Sequence, residues 1–183
     1  DLNRGDRWIL HRYNETVKKV TKLLGGHELG EAARLVYEFL WNDYCDWYLE
    51  MSKLYLYRDE GPLAKGDRLR TRSILVFLLD GVMRLLHPFM PFISEEIWQQ
   101  LPNRNEEALV VSSWPETNMN LNFAVEAEEM DYLQEVVRAI RNLRSQVQLS
   151  PGKEAPVIIK TTRNVTCLEE ERKHLQKLAF ADP

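Results

Sequence analysis

The sequence predicts a mainly α protein: an antiparallel helical bundle over residues 1–148, followed by a short β-α appendage over 149–183. Three observations lead there. Apolar residues recur at spacings of three and four along several long stretches. One of these, from Ile74 to Leu86, is apolar around most of its circumference, as a helix at the centre of a bundle must be. Breaks rich in Gly and Pro separate the stretches.

Taken in order, a first helix starts near Asp6 and carries Ile9, Tyr13, Val17, Val20 and Leu24 on one stripe. Gly25-Gly26 ends it, since glycine accepts the left-handed conformation past a helix C-terminus. A second helix spans 29–57 with a near-heptad seam of Ala33, Val36, Leu40, Tyr44, Trp47, Met51 and Leu54. "RDEGPLAKGD" reads as a loop and 67–87 as the central helix. The stretch "HPFMPF" breaks that helix, because proline lacks the amide donor and crowds the preceding turn. A buried corner explains its Phe and Met, and Ser94 suits the cap of a short helix over 94–101. Leu109-Val110-Val111 is expected to be extended. A fifth helix over 124–148 uses Met130, Leu133, Val137 and Ile140 and stops at Pro151-Gly152. "APVIIK" (155–160) reads as a strand, and 168–179 as a last helix with Leu168, Leu175 and Leu178 inward.

The composition of the 183 residues, 44% hydrophobic and 28% charged, is that of an ordinary globular domain. No segment is apolar enough to span a membrane and the start is not a signal peptide, so a cytoplasmic monomer without membrane contact is expected. The net charge of −4 hides segregation. Residues 116–135 carry six acids and no base, residues 136–153 carry Arg138, Arg141, Arg144 and Lys153 and no acid, and residues 4–22 hold six bases against two acids. Local basic faces of this kind are compatible with RNA.

Catalytic signatures are missing. There is no Gly-rich phosphate loop, nucleophile elbow or zinc-protease helix. The two cysteines, Cys45 and Cys167, and the four histidines, His11, His27, His87 and His174, lack metal-ligand spacing. His87 beside Pro88 reads as a partnered corner histidine, and Cys45 as a small core residue. "EMSKL" (50–54) is similar to the phosphate-binding Lys-Met-Ser-Lys-Ser loop of class I aminoacyl-tRNA synthetases. Its first and last residues differ, however, and it lies in the seam of the second helix. Neither a catalytic residue nor a metal ligand is assigned.

Five motifs occur together in a fixed order: "DRWILHRYNETV" (6–17), "FLWNDYCDWYLEMSK" (39–53), "LLHPFMPFISEEIWQQL" (85–101), "SSWPE" (112–116) and "AIRNLRSQVQLSPGKEAPVII" (139–159). They resemble the anticodon-binding domain of bacterial-type valyl-tRNA synthetases, a class Ia family. Single segments are similar to the isoleucyl enzyme too, whereas Trp41, Cys45, Trp47 and Tyr48 together with "RNLR" point to the valyl branch. The resemblance implies the helical bundle of that class without the family's first helix. It also implies binding of the anticodon stem-loop of tRNA(Val), and partnership with catalytic and coiled-coil domains of the same chain. It implies no cofactor in this fragment, since ATP and valine belong to the catalytic domain.

An anticodon is read on splayed bases by stacking and edge hydrogen bonds, with Arg and Lys holding the backbone. Arg138, Arg141, Asn142 and Ser145 fall at i, i+3, i+4 and i+7 on one face of the fifth helix. Arg144 lies seven residues after Val137, at the edge of the apolar stripe, where it either orients the bundle or clamps a phosphate. Arg12, Lys18, Lys19 and Lys22 form a second basic strip. Trp41, Trp47, Tyr48 and Trp98 could offer stacking platforms, yet helical spacing makes most of them core; Tyr55 and Tyr57 face outward as stacking candidates. The rival reading is a scaffold or protein-interaction module whose basic faces are merely solvated.

Overall fold

A computed structural model describes residues 2–57, 62–102, 106–150, 153–163 and 165–182. It is mainly helical, and it divides into two compact units, Asp1–Ala124 and Val125–Pro183. The division falls ahead of the fifth helix, whereas sequence spacing places it after residue 148. Helix 124–146 therefore groups with the β-α segment that follows it.

In the first unit α1 (Arg4–Gly25) starts two residues earlier than its apolar stripe suggests. Asn3 caps it: its side chain accepts from the Asp6 amide at 2.7 Å, while Asp6 accepts from the Asn3 amide at 3.1 Å, a reciprocal capping box. Gly26 keeps φ at −87°, and His27 instead takes the left-handed conformation at φ 63°. Trp8, Ile9, Tyr13, Val17 and Val20 are buried, as the stripe requires.

The second helical rod is built from α2 (Leu29–Glu38), a π-helical stretch (Phe39–Leu49) and α3 (Glu50–Leu56). The π winding resets the seam. Ala32, Val36 and Phe39 are buried, then a five-residue step leads to Tyr44, followed by Trp47, Tyr48 and Met51. Ala33, Leu40 and Leu54, seam positions under uniform α pitch, are only half-buried, as is Cys45.

α4 (Pro62–Leu86) begins inside the segment expected to be a loop, at a proline suited to a first helical turn. Residues 58–61 of that segment lie outside the described residues. Ile74, Leu78, Val82, Met83 and Leu85 are buried, but Leu69 and Phe77 are exposed, so this helix is not enclosed on all sides. At Gly81 the α4 backbone meets α1 closely: a Cβ there would lie 1.9 Å from the Tyr13 hydroxyl.

The corner after α4 also departs from expectation. α5 (Pro91–Gln99) restarts at the proline itself, and Ser94 is buried inside it, donating back to the Met90 carbonyl at 2.8 Å rather than capping. His87 Nδ1 pairs with Ser94 Oγ at 2.8 Å, so the corner histidine is partnered. Of the apolar corner residues, Phe89 is half-buried, whereas Phe92 is 90% exposed and Met90 and Ile93 are exposed as well. The polar pair, not the greasy side chains, makes this corner. Beyond α5, Leu109–Val111 and Met119–Leu121 are single 3-10 turns; Leu109 is buried, while Val110 and Val111 are exposed.

The second unit opens with α6 (Ala124–Gln146), which buries Met130, Leu133, Val137 and Ile140. The expected stop at Pro151-Gly152 lies outside the described residues. β1 (Ala155–Pro156) is all that pairs of the expected strand 155–160. It runs parallel to β2 (Ala181–Asp182), with Ala155 opposite Ala181. The last helix is two, α7 (Thr166–Glu170) and α8 (Arg172–Ala179), and Leu168, Leu175 and Leu178 are buried. Among the described residues, no helix is long and apolar enough to cross a membrane.

Candidate nucleic-acid interface

The basic strip of α1 lies opposite its buried stripe. Lys22 lies four residues after Lys18 and three after Lys19, and Arg12 seven before Lys19; all four are exposed, while Tyr13, Val17 and Val20 are buried. Arg12 Nε donates to Asp43 Oδ2 of the π stretch at 3.2 Å. Lys18 and Lys19 both lie 3.9 Å from the two oxygens of Glu15, one acid for two ammonium groups. Exposed pairs of that length are weak and easily exchanged.

On α6, Arg138, Arg141, Asn142 and Ser145 are exposed, so none of the proposed face is enclosed. The arginines are nevertheless engaged. Arg138 Nη2 donates to the buried Gln134 side chain at 3.1 Å, one turn back. Arg141 Nε donates to the Leu178 carbonyl of α8 at 2.9 Å. Arg144 is half-buried and gathers main-chain carbonyls: Phe180 at 2.9 Å, Lys153 at 2.6 Å and Ser150 at 3.4 Å, with its guanidinium 5.8 Å from the Phe180 ring centre. Arg144 thus fixes the loop before β1 and the turn before β2 to the end of α6. Arg144 is thus partly buried and partnered, and its partners are carbonyls of the segment that follows α6.

The aromatics divide unevenly. Trp47, Tyr48 and Trp98 are buried, but Trp41 is 55% exposed and lies parallel to the exposed Tyr37, at 3° and 6.3 Å between centres. Three of the four are thus core, and Trp41 is the exception. A sequence signal exists: Arg34, Tyr37, Glu38 and Trp41 sit at i, i+3, i+4 and i+7, so a charged face carries the two rings. Arg34 is held there by Glu31 and Glu38. Tyr57 is exposed as expected, whereas Tyr55 is half-buried with the Arg70 guanidinium 5.8 Å from its ring centre.

Burial sets the phenol chemistry. Tyr44 and Tyr48 are pushed up by burial, Tyr44 to about 12, and for Tyr48 the neighbouring Asp6 carboxylate adds to the effect. These rings are neutral structural groups at ordinary pH. Among the described residues, no group of His, Cys, Asp and Glu is placed to hold a metal ion. What the two faces offer is ammonium and guanidinium donors with amide and hydroxyl groups for base edges; the exposed aromatic pair lies on the second rod.

Comparison with known proteins gives a family. The model for the anticodon-binding domain of tRNA ligase matches residues 6–159. The valine–tRNA ligase of Geobacillus stearothermophilus is 49% identical over 156 residues, 85% of this chain and 17% of the relative. The valine–tRNA ligase of Oceanobacillus iheyensis is 43% identical over 185 residues, 100% of this chain and 20% of the relative. That of Bacillus subtilis is 43% identical over 180 residues, 97% and 20%. The chain spans about a fifth of the length of the curated relatives it matches. A family match over residues 6–159, laid on a helical bundle with exposed basic helix faces, places this chain in the family of anticodon-binding domains of tRNA ligases.

Proposed function

We propose that the chain binds the anticodon stem-loop of tRNA(Val) as a domain of a cytoplasmic valine–tRNA ligase. The observation that carries the reading is the family match over residues 6–159, with relatives named as valine–tRNA ligases at 43–49% identity. Arg12, Lys18, Lys19 and Lys22 hold phosphates on one unit. Arg138, Arg141, Asn142 and Ser145 offer donors and acceptors on the other, with Arg144 holding the chain beneath them. In this reading catalysis, ATP and valine belong to other parts of the ligase.

Fluorescence anisotropy of a labelled tRNA(Val) anticodon hairpin tests it. Binding is expected to fall linearly with log salt, and Lys18→Ala and Lys22→Ala are each expected to flatten the slope by about one. In a whole ligase, Arg138→Ala with Arg141→Ala is expected to raise the KM for tRNA and leave valine activation unchanged. Salt-independent or absent binding overturns the proposal; equal affinity for an isoleucine-tRNA hairpin points to the isoleucyl relative.

A second reading, a protein-interaction scaffold, draws support from the corner, where Met90, Phe92 and Ile93 form an exposed apolar patch. In that reading the basic faces are merely solvated, so it predicts no salt-dependent binding of the hairpin, and the anisotropy titration separates the two.

A further inference from the structure

α4 presents a face that neither basic strip includes. Arg72, Val76, Phe77, Asp80 and Arg84 recur at helical spacing, on the opposite side from the buried Ile74, Leu78 and Val82. With Pro102 they line a cleft of about 420 Å³, within the size range of ligand clefts. Phe77 is 47% exposed, while Ile74 and Leu78 beside it in the helix are buried and Leu75, Val76 and Leu79 half-buried. Its ring meets the buried Tyr13 edge-on, at 73° and 5.5 Å, a contact that holds the ring in place. Arg72 is exposed at the cleft. Below it, Arg84 Nε donates to Asp80 Oδ2 at 2.9 Å and Arg84 Nη1 to the Ser113 carbonyl at 3.0 Å, while Trp98 Nε1 donates to Asp80 Oδ1 at 2.7 Å. The Asp80 carboxylate and the Arg84 guanidinium are therefore fixed in place.

Phe77, Asp80 and Arg84 also line a second cleft, of about 380 Å³, with Trp114 and Glu116. The two differ in charge. The first holds two arginines against one carboxylate, the second one arginine against two carboxylates. An anionic ligand belongs in the first.

We infer that the α4 cleft is a subsite for one unpaired nucleotide of RNA, with the base stacked on Phe77 and the phosphate held by Arg72. This rests on the proposed tRNA-binding function and adds a contact surface to it. A nucleotide is the ligand that uses all of the cleft's parts. Its base takes a π face and an apolar wall, here Phe77 with Val76 and Pro102, and its phosphate takes an arginine. The rigid Asp80–Arg84 pair presents a donor and an acceptor side by side to a base edge. A duplex offers no free base face, so the subsite selects looped RNA.

The test uses the chain with a labelled tRNA(Val) anticodon hairpin and, in parallel, a blunt RNA duplex. Phe77→Ala is expected to weaken hairpin binding by about ten-fold with the salt slope unchanged, and to leave duplex binding as it was. Arg72→Ala is expected to flatten the slope by about one. Because Phe77 touches Tyr13, Phe77→Trp serves as the second variant: it restores hairpin affinity, and the emission it adds to that of the five native tryptophans, read as the difference from the unaltered chain, is quenched by the hairpin but not by the duplex. Unaltered hairpin affinity in Phe77→Ala, or Phe77→Trp emission indifferent to RNA, overturns the subsite while leaving the tRNA-binding function in place. Failure of the unaltered chain to bind the hairpin overturns both.

Discussion

Asp6 and Arg70, sixty-four positions apart, form a 2.8 Å ion pair between α1 and α4, with the Asp6 side chain 2% exposed and that of Arg70 21%. The Tyr48 hydroxyl donates to the other Asp6 oxygen at 2.8 Å, so one carboxylate joins α1, the π stretch and α4. The same carboxylate closes the Asn3 capping box. Asp6→Ala is expected to destabilise the first unit by about 3 kcal/mol, the low end for breaking a buried pair because Arg70 keeps some solvent. Tyr48→Phe is expected to cost about 1 kcal/mol. Urea unfolding followed by circular dichroism reads both.

Three buried phenols make the fold sensitive to alkali. Tyr13, Tyr44 and Tyr48 are each raised above the ordinary 10.0, chiefly by burial, Tyr44 to about 12. Above pH 10 the unfolded chain ionises these groups first and so binds fewer protons than the fold. Their contribution is complete below pH 10 and drains away as pH rises through the folded values, by up to about 1.4 kcal/mol per pH unit for each phenol. The urea midpoint is expected to hold from pH 8 to 10 and to fall steeply by pH 11. Tyr44→Phe is expected to soften that fall.

Gly81→Ala is expected to destabilise the bundle by roughly 2–3 kcal/mol, through overpacking against Tyr13. Tyr13→Phe does not relieve it, because the added methyl would still meet the ring carbons Cζ at 2.5 Å and Cε2 at 2.9 Å. Thermal melts of the single and double variants check this; full rescue by Tyr13→Phe would contradict the contact.

Arg144→Ala and Arg138→Ala are expected to separate cleanly. Losing the Arg144 bonds to Phe180, Lys153 and Ser150 loosens the second unit, at a cost of about 1–2 kcal/mol for charge-assisted bonds near solvent. Amide exchange is expected to quicken at Ala155, whose N–H donates to the Phe180 carbonyl. Arg138→Ala is expected to leave exchange alone and to change the salt dependence of RNA binding. A reversed pattern would exchange the roles of the two arginines.

Helix placement was legible because burial follows the 3.6-residue period: the stripe residues of α1 and α6 are buried except Leu24, which is half-buried at the end of α1. Three features escaped that logic. The π stretch changes the period inside one rod, so that burial passes from Phe39 to Tyr44 in a five-residue step. Pro91, suited to a first helical turn, begins α5 where Ser94 looked like the cap, and the Phe92 side chain follows it into solvent. The expected strand over 155–160 is mostly unpaired, because the described backbone offers a ladder partner only at Ala181–Asp182. For the interface, spacing gave the faces of Arg138 and Lys18. It could not show that the Arg141 and Arg144 guanidinium groups turn back to carbonyls, a matter of tertiary proximity.

The π winding of Phe39–Leu49 has a consequence for chain length. Each turn there holds more backbone than an α turn, so the rod carries slack that a shorter sequence could give up. Deleting one residue within it lets the coil tighten to ordinary pitch without a break, whereas the same deletion in α1 would swing every later side chain by about 100°. A one-residue deletion in this domain is therefore best absorbed in the middle of its second rod.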